Sequence, residues 1–323
     1  MWKTVARRLL ILIPQLFALS ICIFILAQFM PGDPLTGLIG EVYDIDEDRI
    51  RELRILHGLY DPWYVQYFRW LGNALRGDFG VSMVYHISVL TVVGERIWNT
   101  IWLSLFSTIL LYAISVPLGI IAGRYNNTWK ERIISGYLYF GMAMPTIVFA
   151  FILMWVFGFL LGWFPMGGTW SVEVAARGFW PMVGSRIYHM ILPAAAIGLF
   201  GSVGIVQYLR GEIVDAKVSD YVLTARSKGV PMNVIYNKHI LRNSILPIAS
   251  NFGYVIVGLL SGAVFTETVF GFNGMGRLFI ASMNSRDFSV INFLVMFYGA
   301  TGVLGGLIGD IALTVFDPRI RIK

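Results

Sequence analysis

Six stretches without a single Lys, Arg, Asp or Glu constrain this chain more than anything else in it: 9–32, 97–123, 133–172, 187–209, 243–266 and 288–309. Each reaches the ~20 residues that carry an α-helix across the hydrocarbon of a bilayer. The third is longer and holds one span plus a turn-rich tail, GWFPMGG, expected to emerge on the far side. Composition agrees, with 57% hydrophobic and only 14% charged residues in 323 and a mean hydropathy of +0.69, values that exclude a soluble domain. The expectation is an all-α integral membrane protein with six transmembrane helices and both termini on one side.

Lys and Arg decide which side that is. The segment before the first span, the second connection, the stretch 210–242 and the tail together carry fifteen basic against five acidic residues. The other connections carry ten basic and thirteen acidic residues, so they are assigned to the exterior. That places Ser82 and Ser285 outside and Asn237 inside. The formal charge of +6 is then a topological signal and no nucleic-acid footprint. Residues 1–30 read as N-terminus and an uncleaved first span, 31–96 as a sizeable exterior loop, 97–316 as a five-helix core with a cytoplasmic loop at 210–247, and 317–323 as a cytoplasmic tail. The lone Cys22 lies in the first span as a small apolar filler.

The most informative polar segment is 220–247, DYVLTARSKGVPMNVIYNKHILRNSILP. Tyr221 to Lys228 have the composition of a short helix, Gly229 stands where a left-handed C-terminal residue belongs, and Pro231 can open a new helix because its missing N–H is not needed there. Two short helices with a sharp corner follow. In the second, Val234, Ile235, Leu241 and Ile245 recur at helical spacing while Asn237, Lys238 and Arg242 face elsewhere.

This segment resembles the EAA loop of ABC importer permeases. The pattern's Glu, Ala and Ala fall on Leu223, Thr224 and Ala225, so only the last is kept, whereas Gly229, Leu246 and Pro247 match. Sixteen residues separate Gly229 from Leu246, a spacing similar to that of the branch that imports peptides and nickel, and TARSKG and LRNSILP are close to its wording. PGDP after the first span, HGLYDPWYVQYFRWLGNALRGDFGVS, TETVFGFNGMGRLFIASMNSRDFSVI and the terminal DPRIR extend the resemblance over nearly the whole chain, although Asn273 stands where the family usually has Pro. On these motifs the chain is identified as a member of the type I importer permeases, specifically the B-type subunit.

The resemblance implies a second homologous permease, two cytoplasmic ATPases that hold ATP and Mg2+, and an exterior peptide-binding protein. It assigns ATPase coupling to Asp220, Tyr221, Leu223, Thr224, Ala225, Arg226, Lys228, Gly229, Leu246 and Pro247. It assigns binding-protein docking to Trp63, Tyr67, Arg69, Trp70 and Arg76, a reading preferred over simple anchoring at the membrane interface, for which these residues are also suited. Import of nickel or another small solute is the alternative within the branch. The location implied is the plasma or inner membrane, with the lipid bilayer as a further partner.

Five pairs of glycines four apart (119/123, 158/162, 258/262, 302/306, 305/309) predict close helix crossings, and Pro14, Pro117, Pro145 and Pro193 predict kinks or breaks. Asp310 is the one carboxylate well inside an apolar span. Its place two turns from the cytoplasmic end favours pairing with a basic residue of the loop over substrate contact. Gly271, Gly274 and Gly276 permit a tight reversal and form no phosphate cradle. No Gly-Lys pair occurs, so no Walker A loop exists, and the four histidines have no metal-ligand spacing. A six-span channel would need a filter or charged ring, and an intramembrane hydrolase a nucleophile beside a base; neither pattern is present.

Overall fold

The computed structural model describes residues 2–29, 51, 52, 55, 60–260 and 263–316. The first span is α1 (Trp2–Phe29), followed by α2 (Trp63–Leu75) and the 36-residue α3 (Val89–Arg124). Next come α4 (Trp129–Ala143), α5 (Thr146–Leu153), which runs on as a π-helix (Met154–Leu160), and the single-turn α6 (Val172–Ala175). The 38-residue α7 (Phe179–Ala216) leads to α8 (Asp220–Ser227) and α9 (Met232–Val234). A second π-helix (Ile235–Ile240) joins α9 to α10 (Leu241–Leu260), and α11 (Val264–Val269), α12 (Met275–Ser285) and α13 (Phe288–Phe316) complete the described chain. Among the described residues the only extended pairing is one isolated antiparallel bridge, Val81 to Ser88.

Among the described residues four helices are long and apolar enough to cross a membrane, five if α4 and α5 with its π extension count as one bent span. In α1 the described apolar stretch is Ile13–Leu26. The third apolar interval breaks at Pro145, as that proline predicts: the chain turns by 107° between α4 and α5. Pro145 is the physical cause, since it disfavours helical backbone at Met144 and has no N–H to continue the ladder. Pro14, Pro117 and Pro193 sit inside helices that continue past them.

Helices α3 and α7 make the most extensive pairing, and small residues set it. A Cβ at Gly119 would meet Leu209 at 2.8 Å, and one at Gly123 would meet Ile213 at 2.7 Å, so the two backbones approach only because those side chains are absent. Gly253 of α10 lies directly against the backbone at Gly305 and Gly309 of α13. The pair 158/162 serves differently, because Gly162 ends the π-helix with φ +62° and is part of a turn. Gly258 and Gly302 face open space, and Gly262 lies outside the described residues.

One end of the bundle is closed by polar contacts. Buried Glu267 on α11 accepts from the Thr100 hydroxyl (3.0 Å) and from the Arg277 N–H (3.0 Å) in the first turn of α12. The glycines at 274 and 276 make room for that carboxylate, since a Cβ at Gly274 would collide with it. Asn273 occupies the family's Pro position by using the N–H that Pro lacks, donating to Thr169 Oγ1 at 3.1 Å. Asp287, also buried, accepts from the Ser82 hydroxyl and ties the loop before α3 to the start of α13.

Candidate functional site

The corner at 220–247 is built as its residue types dictate. Asp220 opens α8 at the positive end of the helix dipole and Arg226 lies in its last turn. Gly229 has φ +71° and donates to Arg226 O at 2.9 Å, while Val230 donates to Ala225 O at 3.2 Å. These two bonds form a Schellman cap, completed by Val230 packing on the core beneath. Pro231 then starts α9, accepting from Val234 and Ile235 at 2.9 and 3.1 Å.

Val222 and Ala225 bury one face of α8 in a cluster with Leu209 and Ile213 of α7, Ile235, Tyr236 and Ile240 of the π-helix, and Ile248 of α10. The other face, Asp220, Tyr221, Leu223, Thr224, Arg226 and Lys228, is exposed, Leu223 by 49%. Ala225 therefore departs from expectation: only 8% exposed, it looks into the core instead of outward. The register of the second helix also shifts. A π-turn bonds residue i to i+5, so Ile235 and Ile240 align inward with Tyr236, and Val234 is left exposed. Asn237, Lys238 and Arg242 are exposed, and Leu246 and Pro247 lie half-buried within α10 itself.

A polar knot that sequence reasoning missed fixes the helix ends around this corner. Arg210 of α7 donates through Nε at 2.7 Å, and also through Nη2, to the buried Glu131 of α4, whose other oxygen accepts from the Asn127 N–H. Lys217 Nζ donates to Arg124 O (2.8 Å) and Asn126 Oδ1 (2.6 Å). Burial pushes the Lys217 ammonium down, Glu131 pulls it back up, and Arg124 and Arg226 add to the depression. Arg124 reaches Asn233 Oδ1 at 2.8 Å and lies 4.9 Å over the Tyr236 ring. The only available signal was the dense basic and acidic punctuation of these connections, which carries no pairing information.

Residues 115–322 match the profile of the family described as "Binding-protein-dependent transport system inner membrane component". This chain belongs to that family. It is 36% identical over 319 residues to the oligopeptide transport system permease protein AppB of Bacillus subtilis (strain 168), covering 98% of each chain. It is 32% identical over 323 residues to the glutathione transport system permease protein GsiC of Escherichia coli (strain K12), covering 100% of both. Among solved structures, a chain of the inward-facing MetNI methionine ABC transporter superposes with a TM-score of 0.52 at 13% identity, covering 70% of this chain and 97% of that one. The likeness establishes a type I importer permease fold, and the chain is a multi-pass transport subunit rather than an enzyme.

The five residues assigned to docking differ in how far α2 leaves them accessible. Tyr67 is only 3% exposed, its hydroxyl 2.8 Å from Ser20 Oγ and its ring edge-on to Phe17 and Phe24 of α1. Trp70 also stacks toward Phe24, at 6.1 Å. Arg69 is paired with Asp61 at 2.6 Å, while Trp63 and Arg76 are exposed. Ser82, expected to be open to the exterior, is fully buried against Asp287; Ser285 is exposed. Asp310 lies on α13, with its side chain outside the described residues, as is the DPRIR tail.

Proposed function

We propose that this permease is the B-type subunit of an ATP-driven importer of short peptides, paired with a second homologous permease, two cytoplasmic ATPases that hold ATP and Mg2+, and an exterior peptide-binding protein. Both termini and α8 lie on the cytoplasmic side, as the excess of Lys and Arg there supports. The names carried by the two relatives favour peptides over nickel or another small solute.

The observation that carries the reading is the two-sidedness of α8. Its outward face is a surface of mixed polarity that another protein can hold, and its inward face is keyed into α7 and the start of α10. Displacing α8 therefore moves two spans together, because a close-packed cluster transmits force rather than absorbing it. This chain performs no chemistry; it converts closure of an ATPase pair into rearrangement of a path.

Reconstitution tests it. In vesicles containing the full complex, Leu223→Asp is expected to lower both ATPase retention and peptide uptake while the permease pair remains assembled. Wild-type retention and uptake would contradict the proposal.

A further inference from the structure

One cleft in the membrane-spanning part has a chemistry that neither lipid contact nor core packing explains. It lies between α3, α7 and α10, has a volume of about 360 Å3, and is walled by Tyr112, Gly204, Tyr208, Ile248, Asn251 and Val255. Asn251 stands ten residues after the start of α10 and nine before its end, which at ~1.5 Å per residue is mid-membrane depth. Its side chain is exposed there, as is that of Tyr208. The Tyr112 hydroxyl is buried with no hydrogen-bond partner among the described residues. A carboxamide and hydroxyl turned toward hydrocarbon at that depth would be costly, so this side of the chain does not face lipid. Gly204 adds to the opening, since a Cβ there would meet nothing within 4 Å.

Resting on the proposed importer function, we infer that this cleft is where the translocated solute touches the chain, and that it recognises uncharged amide backbone. The Asn251 carboxamide and the Tyr112 phenol can each donate and accept, as a peptide unit does, the Tyr208 phenol donates to Glu212 and can still accept, and none of the lining residues carries a fixed charge. Side chains of the solute meet apolar wall from Ile248 and Val255, which discriminates weakly among them. The ring of Phe252, 5.4 Å from that of Tyr112, holds the phenol in place.

The test uses the reconstituted complex and a panel of tripeptides, one of them N-methylated at its backbone amides. Tyr112→Phe keeps the ring and removes only the hydroxyl. It and Asn251→Leu are expected to raise KM for ordinary tripeptides roughly 2- to 10-fold, the worth of one hydrogen bond, and to change uptake of the methylated one much less. An equal loss for every peptide would overturn the inference, because a packing defect does not discriminate. In a second arm, Asn251→Cys is placed in a Cys22→Ala background, Cys22 being the only native cysteine. A charged, membrane-impermeant thiol reagent should modify it during turnover, with protection by excess peptide. Modification solely by a lipid-soluble maleimide, or none in any state because the second permease covers the cleft, would overturn the inference. A complex that transports no peptide at all would sink the importer reading instead, while the thiol arm would still report whether the cleft is wet.

Discussion

Helices α8 and α2 are both short, both amphipathic and both outside the long bundle, yet they are held in opposite ways. In α8 the small and aliphatic Val222 and Ala225 point inward and the polar residues outward, and the burying cluster includes parts of α7, the π-helix and α10. In α2 the aromatic Tyr67 and Trp70 point inward, Trp63, Tyr64 and Phe68 point outward, and the ring partners beyond α2 itself, among the described residues, belong to α1. The first arrangement can pass a displacement to two spans. The second can only fix α2 locally, at the depth of Phe17 to Phe24 in the apolar part of α1.

The sharpest way to break the contrast is Ala225→Glu. It forces a carboxylate into the cluster under α8, at a cost on the order of 3–5 kcal/mol. The expected outcome is a large fall in the thermal stability of the purified permease, beyond any loss of coupling; unchanged melting would show that the cluster does not hold α8. Tyr67→Ala comes next, removing a buried ring worth about 3 kcal/mol. It should detach α2 from α1, read as a gain of protease cleavage near Gly77, while retention of ATPases stays at wild type. Gly229→Val then imposes roughly 1–2 kcal/mol of left-handed strain on a β-branched residue and weakens the Schellman cap. Uptake should fall more than for Gly229→Ala, with membrane insertion normal in both; equal uptake for the two would argue against a strained cap. The smallest effect is expected of Arg69→Glu, which replaces an exposed ion pair worth under about 1 kcal/mol. Capture of the loaded binding protein should change slightly and less so at high salt. A large, salt-resistant loss would mean that Arg69 itself makes a buried contact with the binding protein.

The apolar intervals were legible because charge exclusion is a strong, local signal, and Gly229 and Pro231 announced their corner because each has one backbone role. Residue-by-residue facing was less legible. Ala225 was expected outward, yet a small residue on an amphipathic helix packs wherever a neighbour comes close, and that neighbour is distant in sequence. The π-turn at Ile235–Ile240 shifts the inward face by one residue, and a search at period 3.6 cannot see it. Tyr67 illustrates the same limit, since an aromatic suited to an interface is equally suited to a pocket formed by Phe17, Ser20 and Phe24 of another helix. Glu131 and Arg210 are 79 positions apart, so only the fold brings them together.

The central claim, that the outward face of α8 is what an ATPase holds while its inward face belongs to the permease core, is tested most directly by cross-linking. Single cysteines replacing Leu223 and, separately, Ala225, each in the Cys22→Ala background of the assembled complex, are treated with a short bifunctional thiol reagent. The cysteine at 223 is expected to capture an ATPase subunit in high yield and the one at 225 to capture none. Capture from 225 equal to that from 223, or none from either in a complex that still couples hydrolysis to uptake, would contradict the account.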